Sequence, residues 1–385
     1  MTTIIRMRPT CSLSHCPGTE AADRSLDEVG LRAWLDLLDL PGVGRRSLWA
    51  RVADLGSPQA ALQTWPTQRS LLAPGTRPAA SSARWEAVMR WWRAPGRRRH
   101  IVSMQCSGYP LWLAQSADPP PLLYVEGDLQ ALELPSVAVV GTRKPTPQGQ
   151  AHAFAFSAAL SRAGLGVVSG LAQGIDAAAH RGALSAAGAT VAVVATGLDR
   201  CYPKRHLELS ARILAEGGAC VSEYGPGTAA VKHHFPERNR IIAGLSRGTL
   251  VVEAAEHSGS LITARLANES GREVFAIPGS IHCAQYSGCH SLIRQGATLV
   301  SSVDDILAEL GWTPLGHTGR LWPPAVPATA ANDPPWLVAL GHDPVTLDEL
   351  QLRTGEALTL WSTRLLELEL AGRVQRLPGG RYQRR

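Results

Sequence analysis

The chain has 385 residues, 45% apolar and 18% charged, a composition of ordinary globular proteins rather than of disordered or collagen-like ones. Its formal charge of +6 favours a polyanionic partner without naming one. The longest apolar run, 183–198, is interrupted by Gly188 and Gly197 and is too short for a membrane helix, and seven irregularly spaced cysteines predict reduced thiols, not a disulfide framework.

This length predicts two or three domains. Residues 1–24 read as a disordered tail with no sustained apolar core that would mark a signal peptide, so a cytoplasmic location is expected. Cys11, His15 and Cys16 lie there without a second ligand pair, which argues against a metal site. Residues 25–100 read as a helical domain. Ser25 is the expected cap, with Glu28 as its capping-box partner ahead of Leu31, Trp34, Leu35 and Leu38. The Leu40-Pro41-Gly42-Val43-Gly44 stretch resembles a helix-hairpin-helix loop, whose amides can face a phosphate, but it fits a plain glycine turn equally well. Trp85, Trp91 and Trp92 follow at helical spacing and predict core positions; the basic run 97–100 predicts a solvated surface.

Residues 101–310 read as an α/β domain with a parallel sheet. Residues 118–127 read as a rigid, proline-rich approach and one edge strand; further strands are expected near 136–140, 165–169, 190–195, 218–222, 249–253 and 273–277, with helices such as 148–163 and 177–186 between them. Ligands of such sheets bind beyond the carboxyl ends of the strands. Gly141-Thr142-Arg143-Lys144 ends the first strand with a close-approach glycine, a hydroxyl and a bidentate cation, which suits a phosphate. Ser169-Gly170 opens a second glycine-rich loop, ending in Gly174-Ile175-Asp176. Asp176 and His180 stand four apart on a helix; a capping carboxylate bonded to an imidazole is the favoured reading over acid–base work. In Lys232-His233-His234-Phe235-Pro236-Glu237-Arg238-Asn239-Arg240, cations surround one stackable ring, which is how single strands are gripped, although Phe235 could equally be core. His282-Cys283 and Cys289-His290 lack the frame of a zinc site. No nucleophile elbow, no paired carboxylates, no Walker lysine and no G-x-G-x-x-G are found, so neither catalysis nor a cofactor is predicted.

Residues 311–334 are rich in Pro and Ala and read as a linker. In 335–385, helices near 335–340, 346–353 and 357–370 and a hairpin around Gly379-Gly380 make a winged helix. Its third helix carries Glu367 and Glu369 against Arg364, which suits a DNA groove poorly and leaves a protein contact at least as plausible.

Taken together, these motifs resemble the DprA/Smf family of DNA-processing proteins. The resemblance runs from Val139-Val140-Gly141-Thr142-Arg143 through Ser169-Gly170-Leu171-Ala172, Ala195-Thr196-Gly197-Leu198-Asp199 with Tyr202-Pro203, and Ser222-Glu223-Tyr224. It continues through 234–246, Val251-Val252-Glu253-Ala254, 258–265, Pro278-Gly279 and Leu292-Ile293 with Gly296-Ala297. It implies an extended Rossmann-like sheet, a SAM/helix-hairpin-helix-like front and a winged-helix tail. It also implies single-stranded DNA binding, loading of RecA recombinase onto that DNA in natural transformation, a homodimer through the Rossmann-like domain, no membrane association and no catalysis. Carried over by motif, the DNA-binding residues are Gly141, Thr142, Arg143, Ser169, Gly170, Lys232, Phe235, Arg238 and Arg240, and replacing Arg143 and Arg238 by Ala is expected to weaken binding with the fold intact. One departure is His290, where the family commonly has Asn. A rival is the cytokinin-activating phosphoribohydrolase group: Gly248-Thr249 and Glu253 match its motif, but the preceding Pro-Gly-Gly is missing. A third reading is a protein-interaction scaffold, which the cationic loops disfavour.

Overall fold

The structure is a computed structural model that describes residues 26–40, 42–64, 79–314, 335–341, 343–377 and 379–384. The expected tail at 1–24, the Ser25 cap and most of the 311–334 linker lie outside these residues. Among the described residues no helix is long and apolar enough to cross a membrane.

Four helices lead: α1 (Glu28–Leu38), α2 (Arg45–Leu55), α3 (Pro58–Thr64) and α4 (Ala79–Trp92). α1 is capped by Asp27, whose carboxylate accepts from Gly30 N at 2.7 Å; this corrects the expectation of a cap two residues earlier with Glu28 as its partner, since Glu28 is the first helical residue and pairs with Arg93. Gly42 takes φ +74° in the turn before α2, a conformation that favours glycine. Trp34, Leu31, Leu37, Leu48 and Trp91 form the core of this unit, with Trp85 and Trp92 packed partly buried against it. The core extends without a break onto Ile101, Leu122 and Tyr124 of the neighbouring sheet.

That sheet has nine strands: β1 (Arg99–Val102), β2 (Leu123–Gly127), β3 (Ser136–Val140), β4 (Gly166–Ser169), β5 (Thr190–Val193), β6 (Ala219–Ser222), β7 (Gly248–Val251), β8 (Glu273–Ala276) and β9 (Thr298–Leu299). Their spatial order is β1-β2-β6-β5-β4-β3-β7-β8-β9; β2 runs antiparallel to both its neighbours β1 and β6, the other pairs are parallel, and β1 rather than the expected strand at 118–127 forms this edge. The six central strands fall where the apolar runs place them. β1 departs from the expectation: its arginine start reads as a helix end, yet Arg99 is a paired residue that reaches Glu126 and lies over the Trp91 ring. Arg97 and Arg98 likewise pair with Glu126 and Asp128.

Between the strands lie α5 (Leu111–Ala114), α6 (Gln130–Glu133), α7 (Pro147–Arg162), α8 (Ile175–Ser185), α9 (Leu207–Ala215), α10 (His234–Gly244), α11 (Gly259–Glu269), α12 (Ser287–Arg294) and α13 (Val303–Glu309). Period-2 alternation splits each strand between two cores. Val137 and Val139 pack with Phe156, Leu160 and Ile306 on one face, while Ala138 and Val140 pack with Ile241, Ile242 and Leu245 on the other. Each fully buried Val, Leu, Ile or Phe contributes about 1.5–3 kcal/mol, so both faces drive closure of the layers. From β3 the chain builds outward to β6 on one side, then returns to place β7 beside β3 and builds the other way. The crevice at β3 and β7 is therefore the topological switch point of the sheet.

The final unit holds α14 (Pro335–Leu340), α15 (Leu347–Thr354) and α16 (Leu358–Leu370), with β10 (Val345–Thr346), β11 (Val374–Leu377) and β12 (Arg381–Arg384) in the order β10-β12-β11. Trp361, Leu350, Leu365 and Val374 form its core. The helices and the glycine hairpin match the pattern read from the chain; the short β10 was not foreseen.

Candidate nucleic-acid interface

A cleft of about 930 Å³ opens at the carboxyl ends of the central strands. Its first wall is the loop after β3. Gly141 is obligatory here: a Cβ would sit 2.6 Å from Ile175 Cγ1 and 2.9 Å from the Glu253 carbonyl. Thr142 N donates to Glu253 O at 2.7 Å, and Thr142 O accepts from Ile175 N at 3.2 Å. Its hydroxyl accepts from Lys144 N at 3.2 Å and keeps its own hydrogen to donate. These bonds fix the loop and leave Arg143 and Lys144 exposed at its tip.

The opposite wall comes from α10 and the segment before it. The Arg143 guanidinium lies 5.3 Å from the centroid of Phe235, and the Tyr202 and Phe235 ring centroids are 5.5 Å apart with their planes inclined at 54°. Phe235 is half-buried rather than core, and Tyr202 is 48% exposed. Lys232 and His233 stand exposed beside them. The structure thus brings together Gly141, Thr142, Arg143, Lys232, Phe235 and Arg238 around one cleft.

Three expected site residues are placed otherwise. Ser169 is fully buried and donates to Val139 O at 2.7 Å, tying β4 to β3 below the cleft. Gly170 is also buried; its N–H donates to Asp176 at 3.1 Å, and a Cβ would meet the Arg238 guanidinium at 2.4 Å. Arg240 does not line the cleft. It bonds the Asp118 carbonyl at 2.7 Å and pairs with Asp118 and Glu223, which also receive Arg45 from α2. The loop before α2 therefore delivers Arg45 into this cluster of charges shared with the front helices.

Arg238 lines the cleft from its floor but is only 4% exposed. It donates to Gly170 O at 2.7 Å and to Val193 O, closing the ends of β4 and β5. Burial, with a smaller contribution from Arg143, pushes its pKa down to about 10 while Asp176 opposes the shift, so it stays protonated near neutrality. The pattern Arg238, Ile241, Ile242, Leu245 is the i, i+3, i+4, i+7 stripe of a buried helical face, a signal available in the sequence. Replacing Arg238 thus attacks the fold as well as the cleft, which corrects the expectation of an intact fold.

Asp176 does not bond His180. Its carboxylate accepts from Gly170 N and Ala172 N, and burial raises its pKa while Arg238 and these bonds oppose the rise. His180 instead meets Thr190 Oγ1 at 2.8 Å through Nδ1. Leu171, in the same loop, takes φ +55°, and its carbonyl is held 2.8 Å from His206 Nδ1. A left-handed leucine of this kind persists only where neighbours over-determine it.

Glu253, the glutamate shared with the rival motif, is fully buried and does not line the cleft. It accepts from Thr146 N at 2.9 Å and from Thr146 Oγ1, at the start of α7. Among the described residues no cluster of His, Cys, Asp and Glu could hold a metal ion. His290 bonds the Gly279 carbonyl through Nε2 at 3.0 Å, and Cys289 points at the Val251 and Val252 carbonyls.

The motif reading passed over Tyr202, Asn239 and the start of α11 as site residues. Ser258 caps α11, so Ser258, Gly259 and Ser260 turn the positive end of that helix toward the cleft. Ser-Gly-Ser before an apolar helical run is the signal that could have found it.

A family model described as DNA recombination-mediator protein A matches residues 100–311, and a DprA winged helix domain matches 323–380. Protein Smf of Escherichia coli is 41% identical over 299 residues, 77% of this chain and 79% of that protein. DNA processing protein DprA of Streptococcus pneumoniae is 51% identical over 201 residues, 52% of this chain and 71% of that protein. The X-ray structure of the Streptococcus pneumoniae protein superposes with TM-score 0.59 at 39% identity, covering 72% of this chain and 96% of that one. DNA processing protein A of Helicobacter pylori, whose structure concerns its single-stranded DNA binding mode, superposes with TM-score 0.50 at 29% identity, covering 55% and 95%. The chain belongs to the DprA/Smf family of DNA-processing proteins.

Proposed function

We propose that this chain binds single-stranded DNA in the cleft and loads RecA recombinase onto it during recombination or natural transformation. The observation that carries the reading is exposed Arg143 lying 5.3 Å from the Phe235 ring, which in turn lies 5.5 Å from the Tyr202 ring, across a cleft at the sheet's switch point. A guanidinium for phosphate beside stacking rings for bases is the sequence-tolerant grip of single strands. The family membership and the Helicobacter pylori relative support the same ligand. The chain acts without catalysis, cofactor or metal in this reading: the rival's glutamate, Glu253, is spent on the α7 start and is sealed from the cleft. It works as a cytoplasmic homodimer joined through the Rossmann-like domain.

The test is fluorescence anisotropy of a labelled single strand against the matching duplex at two salt concentrations. Tighter single-strand binding, with log affinity falling by about 0.7 per neutralised phosphate per log unit of salt, is expected. Absence of binding, or release of free base from nucleoside monophosphates, overturns it. RecA ATPase on coated single strands and light scattering of the free chain test the loading and the dimer.

A further inference from the structure

The winged helix has no part in the cleft reading, and its third helix presents an unusual outer face. Trp361, Leu365 and Leu368 hold α16 against the core of the unit. On the opposite side Thr359, Thr363, Leu366 and Leu370 are all exposed, the two leucines at 58% and 82%. Their spacing of four, three and four residues is that of a coiled-coil seam, the stripe one helix offers to another. The Thr363 hydroxyl is spent on the Thr359 carbonyl at 3.1 Å, so this residue brings a methyl to the seam and no free donor.

Charge frames the seam. With Leu366 and Leu370 on it, Glu367 and Glu369 take the two flanking positions, one on each side. Both are exposed, and neither forms an ion pair among the described residues. Arg364, the one cation of α16, is turned away from them: it pairs with Glu356 and lies 4.8 Å from the centroid of the Trp336 ring.

This combination disfavours two occupants and selects a third. A nucleic acid would bring its phosphates to carboxylates on the helix that such folds set in a groove. A second copy of the chain would set carboxylates beside carboxylates, with no unpaired cation on α16 to answer them. A helix with apolar residues at the same spacing and Lys or Arg on its flanks covers the leucines and neutralises both glutamates, because flanking charges decide partner choice in such pairs.

We propose that α16 is the docking surface for a basic amphipathic helix of a partner protein, seated along Thr359, Thr363, Leu366 and Leu370 between Glu367 and Glu369. The 13 residues of α16 span about 20 Å, room for about two heptads of the partner. None of them lines the cleft, so the partner and a single strand engage different parts of the chain.

The test titrates the full chain into two labelled synthetic peptides of about three heptads, identical in their leucine seam, one flanked by Lys and the other by Glu. Saturable binding of the lysine peptide is expected, with weaker binding of the glutamate peptide. Leu366→Ser with Leu370→Ser should lower affinity for the lysine peptide at least about tenfold at unchanged Tm. Glu367→Lys with Glu369→Lys should pass the preference to the glutamate peptide, a reversal that attraction elsewhere on the chain does not produce. No saturable binding, equal binding of the two peptides, a serine variant that binds like the parent, or an unreversed preference overturns the proposal. So does sedimentation in which the serine variant breaks up a dimer of the parent, which seats a second copy on the seam. A loss of single-strand affinity in that variant gives the face to DNA and overturns it too.

Discussion

Arg238 on α10 and Gly170 after β4, 68 residues apart in sequence, are joined by a 2.7 Å hydrogen bond beneath the cleft. Arg143, the other arginine that lines the cleft, has its charge at the surface over Phe235. One guanidinium builds the cleft and the other is offered to whatever enters it. The two therefore separate under mutation.

Arg238→Ala strips the donor from two buried carbonyls and removes the charge facing Asp176. A loss of about 3–5 kcal/mol is expected, from unsatisfied groups left in the interior. Urea unfolding checks it; a midpoint equal to that of the parent chain contradicts the structural role.

Arg143→Ala and Phe235→Ala act on the surface of the cleft and should leave the unfolding midpoint close to that of the parent. Phe235→Ala should cost about 1–3 kcal/mol of single-strand affinity at unchanged salt slope. Arg143→Ala should also flatten the slope by about 0.7. Anisotropy titrations across salt distinguish the two patterns.

Gly149 sits where a Cβ would fall 2.2 Å from the Glu253 carboxylate. Gly149→Ala should destabilise by about 1–3 kcal/mol through overpacking, and adding Glu253→Ala should recover part of that loss. Strictly additive destabilisation in the double-mutant cycle would refute the clash.

His180 is fully buried with its pKa lowered to about 3, first by burial and then by His206, Arg238 and Arg181. Its folded pKa lies below the unfolded value of about 6.5, so the unfolded chain binds the extra proton. The neutral ring's contribution is fully present above pH about 6.5 and is lost as pH falls toward the folded value, with a slope of at most about 1.4 kcal/mol per pH unit. His152 and His100, also lowered by burial, add the same sign, while Asp176 and Glu253, raised by burial, contribute with the opposite sign. Stability should therefore fall between pH 6.5 and 5, and His180→Asn should flatten that fall. A parallel curve for the variant would discount His180.

The sheet was legible because β3 to β8 are short apolar runs bounded by glycine, a pattern that few other structures produce. β1 was not, because its Arg99 and His100 are polar letters whose partners, Glu126 and Trp91, lie far along the chain or behind it. The same limit governed the site. Arg143, Arg238 and Arg240 read alike as cations near helix starts, yet one is exposed, one is buried under the cleft and one is bound to Glu223 and Asp118. Local spacing carries helical phase, which marks Arg238 as inward, but it does not carry the distant carboxylates that claim Arg240. Likewise Asp176 and His180 share a helix face, while their bonds go to Gly170 and Thr190.

The loops under the cleft are held by contacts that leave no slack: Gly141 against Ile175, Gly174 against the Thr142 carbonyl, and Leu171 in a left-handed backbone beneath His206. Such a receptor has almost no shape left to choose. Conformational adaptation must then come from the guest, which favours a limp polymer that can bend each sugar and base into place and handicaps a stiff double helix. Selectivity for strandedness would thus arise from the mechanical compliance of the nucleic acid, with no residue devoted to rejecting duplexes.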